Sequence, residues 1–214
     1  MIRALISDLG NVLLHFDHRI IRRRLEELYP GVLREQGSKG AFWSLVGDFE
    51  TGEVDADEFL PLLAAVLNLP DGLDKARFFE VWGDIFWLNR EYFDLLTEVR
   101  GRVKLVMLSN TNPLHIDFAR ARFPEAFALF DHTVFSYECG FAKPDPRIFQ
   151  NALTACGIAP EEALYVDDIA AYTTAAGALG MHAYQYVSTD ALRDVLNIYE
   201  LHVTAPNHAD ITGH

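Results

Sequence analysis

The chain has 214 residues, of which 50% are hydrophobic and 12% aromatic, so it can bury a large core and is not a disordered protein. Its 31 acidic residues against 18 lysines and arginines give a formal net charge of −13. Because that charge repels phosphate backbones and anionic lipid headgroups, and Arg22-Arg23-Arg24 is too short a basic run to offset it, we expect neither nucleic-acid nor membrane binding.

The first predicted element is a short, mostly apolar strand over residues 2–7. Apolar residues on both faces are typical of a strand inside a parallel sheet, where helices cover both sides. The strand runs directly into the polar sequence Asp8-Leu9-Gly10-Asn11, so a turn with a carboxylate follows it.

Residues 16–89 contain several amphipathic segments and no β-branched run, which predicts an all-helical region. Ile21, Leu25 and Leu28 form one apolar stripe at helical spacing, and residues 42–49 carry another. The two stripes predict the first two helices of this region.

Two further helices are predicted before residue 90. Asp55 and Glu58 resemble a capping box that opens a helix over residues 59–67, and residues 78–88 supply a fourth helix. A helical block placed after the first strand of an α/β unit is most simply an inserted cap, and caps commonly exclude water from an active site.

Short strands and helices alternate in the rest of the chain. The predicted strands cover residues 103–108, 133–136, 163–166 and 182–187. The alternation predicts an α/β fold with a doubly wound, mostly parallel sheet. We expect an α/β catalytic core over residues 1–15 and 90–204, a helical cap over residues 16–89, and a flexible tail over residues 205–214.

Small polar side chains and carboxylates gather where the predicted strands end. Strand 103–108 runs into Ser109 and Asn110, and strand 163–166 runs into Asp167 and Asp168. In a doubly wound sheet these ends share an edge with Asp8, and ligands bind at that edge. Three carboxylates there would repel one another unless a cation neutralised them, which predicts a divalent metal. Because only oxygen donors are on offer, Mg²⁺ is favoured over Zn²⁺.

Four short motifs, in this order, resemble the signature motifs of the haloacid dehalogenase-like hydrolase superfamily. They are Asp8-Leu9-Gly10-Asn11-Val12, Ser109-Asn110-Thr111-Asn112, Lys143-Pro144-Asp145-Pro146 and Asp167-Asp168, and they span nearly the whole chain. The first motif, the run from Ser109 to His115, and Glu50-Thr51-Gly52-Glu53 are similar to the branch that contains bacterial α-D-glucose-1-phosphate phosphatase. The resemblance implies a Rossmann-like core with a helical cap inserted after the first motif.

The resemblance also implies catalytic roles. Asp8 would attack the phosphorus and form an aspartyl-phosphate that water later hydrolyses. Ser109, the backbone amides around Asn110, and the Lys143 side chain would bind the transferring phosphoryl group and stabilise its charge.

Mg²⁺ is the cofactor that the resemblance implies. Its ligands would be the Asp8 carboxylate, the Gly10 backbone carbonyl and Asp168. Asp167 would support these ligands or make an auxiliary contact with the metal.

Two positions depart from the pattern of the superfamily. Most of its phosphatases carry a second aspartate two positions after the nucleophile, and this chain has Gly10 there. Loss of general acid catalysis typically costs about 10²–10⁴ in rate, so either another residue replaces it or the leaving group departs with less help, as an anomeric phosphate would. The candidate replacements are Asp17, His15 and Glu50. Tyr172 stands where the family usually has Asp or Asn, which leaves one polar support fewer for the metal.

The leading hypothesis is a Mg²⁺-dependent phosphomonoesterase for a small phosphorylated metabolite, such as a sugar phosphate. One alternative is a 2-haloacid dehalogenase, in which the same aspartate attacks carbon without a metal. The other is a catalytically degenerate protein of the same fold that only binds a ligand. The sequence determines neither the substrate nor the oligomeric state.

Three features bear on the location of the protein. Cys139 and Cys156 are the only cysteines, so they do not make a disulfide framework. The sequence has no recognisable secretory leader and no apolar stretch long enough to span a bilayer. We therefore expect a cytoplasmic protein.

Overall fold

A computed structural model describes residues 1–31, 39–69 and 74–201 of the chain. Its strands are β1 (Ala4–Ser7), β2 (Leu14–Phe16), β3 (Phe86–Leu88), β4 (Lys104–Ser109), β5 (His132–Phe135), β6 (Ala163–Asp167) and β7 (His182–Gln185). Its helices are α1 (Arg19–Leu28), α2 (Lys39–Glu50), α3 (Ala56–Leu67), α4 (Lys75–Gly83), α5 (Arg90–Val99), α6 (Pro113–Arg122), α7 (Pro124–Phe127), α8 (Ser136–Cys139), α9 (Pro146–Cys156), α10 (Ala170–Ala178) and α11 (Thr189–Ile198).

Five parallel strands form the central sheet in the order β5-β4-β1-β6-β7. Successive residues of β1 face opposite sides of the sheet, so Leu5 belongs to one buried apolar cluster and Ile6 to the other. Helices α5, α6 and α11 contribute to the first cluster, and α9 and α10 contribute to the second. The α/β prediction with a doubly wound parallel sheet is therefore confirmed.

Helices α1 to α4 enclose a third apolar cluster that is rich in aromatic side chains. Phe49 stacks on Phe59 with ring centroids 4.0 Å apart, and Trp82 meets Phe59 edge-on at 4.9 Å. The predicted capping box is present. The Asp55 side chain accepts from the Glu58 backbone N–H, and the Glu58 carboxylate accepts from the Asp55 backbone N–H. The interpretation of residues 16–89 as a separate cap domain stays a prediction.

The prediction of an all-helical region was wrong at its edges. The fourth helix ends at Gly83 rather than at residue 88, and β3 follows it. Strand β3 pairs antiparallel with β2, so Phe16 lies opposite Phe86 in a small two-stranded sheet. Neither strand contains a β-branched residue, and each is only three residues long, so the sequence pattern gave no strand signal.

Other boundaries shifted for local reasons. The predicted strand over residues 182–187 is a shorter edge strand, β7, in which His182, Ala183 and Gln185 are exposed. Ser136 begins α8 instead of ending β5. The predicted tail over residues 205–214 lies outside the described residues. No helix in the described parts of the chain is long and apolar enough to cross a membrane.

The helical region formed by α1 to α4 contacts the α/β part of the chain at positions occupied by glycine. A Cβ atom at Gly52 would lie 2.3 Å from the backbone oxygen of Tyr137 in α8. A Cβ atom at Gly83 would lie 2.8 Å from Cβ of Phe118 in α6. Both contacts are too close for any side chain larger than hydrogen without a shift of the neighbour.

Candidate active site

The carboxyl ends of β1, β4 and β6 meet at one edge of the sheet. Strands β4 and β6 both pair with β1 in parallel, so the residues that follow the three strands become neighbours. Asp8 follows β1, Ser109 ends β4, and Asp167 ends β6. The strand-end cluster predicted from the sequence is thus assembled by the register of the sheet.

Lys143 lies at the centre of this cluster, although it comes from the loop between α8 and α9. Its Nζ donates to Asp8 Oδ1 at 2.8 Å, to Asp167 Oδ2 at 2.7 Å and to the Leu108 carbonyl at 3.3 Å. The Lys143 side chain is 1% exposed. Burial alone would lower its pKa, but the two carboxylates outweigh burial and raise the pKa of Lys143 above its usual value.

Asp8 and Asp168 are both harder to ionise than a carboxylate in water. Burial raises the pKa of Asp8 to about 6, against the lowering effect of the Lys143 ammonium. Burial, with the nearby Asp167, also raises the pKa of Asp168. A further positive charge would therefore be favourable beside them.

Oxygens of Asp8, Asp167 and Asp168 all lie within 4.8 Å of one another. Three carboxylates and one ammonium leave two uncompensated negative charges when all four groups are ionised. A divalent cation balances that charge, and an all-oxygen donor set suits Mg²⁺. The residues present therefore fit the implied metal.

Asp167 and Asp168 differ in how many of their oxygens are already used. Asp167 is fully buried and accepts from Lys143, from the Tyr165 hydroxyl, and from the Ile169 backbone N–H at 2.8 Å. Asp168 is only partly buried, and its carboxylate has a side-chain hydrogen bond with Asn11. These hydrogen bonds favour Asp168 as the ligand and Asp167 as its support, and both roles stay predictions.

Ser109 and Asn110 are used in different ways. The Ser109 hydroxyl is buried, and its bond to the Asn110 carbonyl is long, at 3.4 Å, so it remains able to donate to a ligand. The Asn110 side chain instead holds the Lys143 backbone, because it accepts from its N–H at 2.7 Å and donates to its carbonyl at 2.9 Å. Its predicted contribution to substrate binding would therefore come from the backbone.

Ser136 holds the segment that follows β4, and the sequence analysis did not identify it. Its hydroxyl accepts from the Thr111 N–H at 2.9 Å and donates to the Thr111 carbonyl at 3.1 Å. Its position directly after β5, the neighbour of β4 in the sheet, was the available signal.

Phe16 explains the absence of the usual second aspartate. A Cβ atom at Gly10 would lie 2.8 Å from Cε1 of Phe16, so the aromatic ring stands where a side chain at position 10 would begin. A glycine at position 10 therefore fits beside Phe16, whereas any larger residue would require the Phe16 ring to move.

The three candidate replacements for that aspartate differ in their surroundings. Asp17 bonds to the Arg19 backbone and guanidinium, which lowers its pKa. His15 alternates with Phe16 on β2 and therefore faces the other side, where its ring lies 5.9 Å from that of Trp87. Glu50 is partly buried, and burial raises the pKa of its carboxyl. Within residues 1–31, 39–69 and 74–201, no hydrogen bond or ion pair to the Glu50 carboxylate is found.

Comparison with known proteins points to one family. A family model of haloacid dehalogenase-like hydrolases matches residues 2–180. The chain is 24% identical over 193 residues to a D-ribitol-5-phosphate phosphatase from Bacteroides thetaiotaomicron, covering 86% of this chain and 92% of that protein. It is 29% identical over 200 residues to a phosphatase from Mycobacterium tuberculosis, covering 90% and 91%. Acyl-CoA dehydrogenase family member 10 from Mus musculus is 30% identical over 122 residues, which are 54% of this chain but 11% of that protein.

Solved structures agree with these sequence matches. An enzyme of the same family from Bacteroides thetaiotaomicron, in complex with magnesium and inorganic phosphate, is 26% identical, with a TM-score of 0.76 over 87% of this chain and 95% of that one. The L-2-haloacid dehalogenase from Xanthobacter autotrophicus is 21% identical, with a TM-score of 0.61 over 92% of this chain and 83% of that one, and this likeness shows the fold alone.

Proposed function

Since this chain belongs to the haloacid dehalogenase-like hydrolases, we propose that it is a Mg²⁺-dependent phosphomonoesterase that acts on a small phosphorylated metabolite, specifically a sugar phosphate. The observation that carries the proposal is the contact of buried Lys143 with Asp8, next to Ser109 at the end of β4. This arrangement offers a carboxylate nucleophile beside donors for phosphoryl oxygens.

The proposed reaction divides one displacement into two steps. A carboxylate oxygen of Asp8 bonds to phosphorus while the bond from phosphorus to the alcohol oxygen breaks, which gives an aspartyl-phosphate and the free alcohol. Water then attacks that phosphorus while the bond from phosphorus to the Asp8 oxygen breaks, which releases inorganic phosphate and restores the Asp8 carboxylate. The proton that water loses returns to the general acid that gave its proton to the alcohol. In both steps Ser109 and Lys143 would donate to the transferring oxygens.

Bound Mg²⁺ would supply positive charge and would not itself react. Mg²⁺ held by Asp8, Asp168 and the Gly10 carbonyl would offset the repulsion between an anionic substrate and the two uncompensated carboxylate charges.

Glu50 is the replacement that we propose for the missing general acid. Its raised pKa favours the protonated form, which a group must have to donate a proton to the leaving oxygen. It precedes the Gly52 turn, which touches the backbone of Tyr137 in α8, so it stands in the part of α2 that meets the core. Asp17, which is held ionised by Arg19, and His15, which faces away from Phe16, suit this role less well.

Substrate size and class follow from the same contacts. Because the helical region packs against α8 through Gly52 and against α6 through Gly83, we infer that it covers the carboxyl edge of the sheet and admits a small substrate better than a large polyanion. The Bacteroides relative acts, by its name, on a phosphorylated sugar alcohol, which supports the sugar phosphate class.

Two free cysteines agree with a reducing cytoplasm.

A panel of phosphorylated metabolites and p-nitrophenyl phosphate, assayed with and without Mg²⁺, tests the proposal. We expect phosphate release that EDTA and Asp8→Asn both abolish. Halide release from a 2-haloacid without metal would replace the proposal by the dehalogenase hypothesis. Binding of a phosphorylated ligand with neither activity would favour the degenerate ligand-binding protein.

A further inference from the structure

Tyr172 is a residue that the four motifs leave unexplained. It lies in the first turn of α10, directly after a segment tied to the acidic cluster, because the Ile169 N–H donates to Asp167 Oδ1 at 2.8 Å. The start of the helix that carries Tyr172 is therefore fixed relative to the site.

The ring of Tyr172 covers the Lys143 ammonium. Lys143 Nζ lies 5.1 Å from the Tyr172 ring centroid, within the range of a cation–π contact. Tyr165 is farther from the ammonium, at 6.0 Å, and its hydroxyl already donates to Asp167. Tyr172 is only partly buried, whereas Tyr165 is fully buried in β6, so Tyr172 is the ring between Lys143 and solvent.

The hydroxyl of Tyr172 reaches the same lysine by a second route. Asn110 Nδ2 donates to the Tyr172 hydroxyl at 3.4 Å and to the Lys143 carbonyl at 2.9 Å. Asn110 Oδ1 accepts from the Lys143 N–H at 2.7 Å. Tyr172 therefore contacts the ammonium directly and the Lys143 backbone through one amide.

We propose, on the basis of the phosphatase function proposed above, that Tyr172 is a positioning residue that keeps Lys143 aimed at the transferring phosphoryl group. The ring restricts the flexible four-carbon stem of the lysine and keeps water from the ammonium. The hydroxyl steadies Asn110 and, through it, the loop that carries Lys143. The aromatic residue thus supports the lysine from a position where the family's usual Asp or Asn would support the metal.

Three variants separate the ring from the hydroxyl. Tyr172→Leu removes both contacts, and Tyr172→Met is a second aliphatic variant in case the first does not fold. Tyr172→Phe keeps the ring and loses only the long bond to Asn110. The matched control is Tyr199→Leu, which also removes a partly buried aromatic ring. That ring packs on His182 and not on Lys143.

The primary readout is the dissociation constant of inorganic phosphate, measured by calorimetry with Mg²⁺ present, together with kcat and KM for p-nitrophenyl phosphate. Loss of a desolvated cation–π contact predicts roughly tenfold weaker phosphate binding and a similar fall in kcat for Tyr172→Leu and Tyr172→Met. KM should rise together with the dissociation constant of phosphate, because Lys143 would donate to the phosphoryl group of the bound substrate as well as during its transfer. Tyr172→Phe should stay within about threefold of the parent protein, since a 3.4 Å hydrogen bond is weak.

A second readout needs no activity. Hydrogen exchange at the Lys143 backbone amide, which is bonded to Asn110, should become faster in the aliphatic variants and remain unchanged in Tyr199→Leu.

The outcomes distinguish this inference from the proposed function. Unchanged phosphate affinity and unchanged Lys143 exchange in the aliphatic variants would overturn the positioning role, even if kcat fell through loss of folded protein. Equal losses in Tyr172→Phe and Tyr172→Leu would overturn the role of the ring. If the parent protein neither hydrolyses phosphomonoesters nor binds phosphate but the exchange at Lys143 still responds, the proposed function fails and the positioning contact stands.

Discussion

The crevice of the core and the interior of the helical region are held together by different physics. In the crevice, the Lys143 ammonium is fixed by charged hydrogen bonds of 2.7 and 2.8 Å. In the helical region, stacked rings such as Phe49 on Phe59 fill the interior, and glycines set the contact with the core. The hydrogen bonds fix the position of the Lys143 ammonium, whereas the packed rings fix the shape of the helical region. We therefore expect changes in the crevice to act on chemistry and stability together, and changes in the helical region, apart from the proposed proton donor Glu50, to act through fit.

The largest effect should follow from Lys143→Met. It leaves Asp8 and Asp167 buried without a counter-charge, and removing one partner of a buried pair costs roughly 3–5 kcal/mol of unfolding free energy. Phosphatase activity should fall by roughly 10²–10³, the usual loss for one donor to a developing charge.

Urea denaturation and initial rates measure the two effects, with Lys104→Met as the control. Lys104 is exposed, and the one side-chain bond found for it among the described residues runs from its Nζ to the Cys156 carbonyl, so its loss should cost less than about 1 kcal/mol. Equal destabilisation by the two variants would remove the contrast between the crevice and the rest of the molecule.

The next effect should come from Glu50→Gln, which keeps the shape of the helical region but removes a proton donor. For an alkyl phosphate, kcat should fall by about 10²-fold, and for p-nitrophenyl phosphate by much less, because that leaving group needs little protonation. Because a general acid acts when protonated, kcat of the parent protein should decline as the pH rises through the raised pKa of Glu50.

The Glu50→Gln variant should lose that alkaline decline. The neighbouring, exposed Glu53→Gln is the control and should keep both rate and pH profile. An unaltered pH profile in Glu50→Gln would show that chemistry does not depend on this part of α2.

A smaller effect should follow from Gly83→Ala, which tests fit alone. The new methyl group would meet Phe118 at 2.8 Å, and such overpacking costs about 1–3 kcal/mol. Gly47→Ala in α2 is the control, since nothing lies within 4 Å of its Cβ position. Thermal denaturation should separate the two variants, and a Gly83→Ala protein as stable as Gly47→Ala would mean that the contact yields easily.

The smallest effect is a pH dependence at the contact between α4 and α6. Burial, with some help from His18, lowers the pKa of His115 to about 3 from 6.5, so the unfolded chain binds a proton that the folded chain does not. The contribution of His115 to stability should therefore fall by about 1.4 kcal/mol between pH 7.5 and 5.5.

Urea denaturation at pH 7.5 and 5.5 should detect this loss. His115→Gln should weaken it and His182→Gln, at an exposed site, should leave it unchanged. The same pH dependence in His115→Gln and the parent protein would exclude His115 as its source.

The same contrast explains what the sequence could predict. Asp8, Ser109 and Asp167 directly follow or end buried strands, so the parallel sheet alone brings them together. Lys143 comes from a loop, and only the resemblance of its motif indicated that it belongs to the site. The ring of Phe16 beside Gly10 and the clamp of Asn110 on Lys143 depend on tertiary placement that periodicity does not encode.

The paired strands β2 and β3 lie at the two junctions between the helical region and the core. Because Phe16 and Phe86 are opposite each other, the chain leaves and re-enters the core at adjacent points of one short ribbon. The two junctions between the helical region and the core stay side by side as long as β2 and β3 remain paired. A change of sequence within α1 to α4 is therefore expected to leave the positions of these two junctions unchanged.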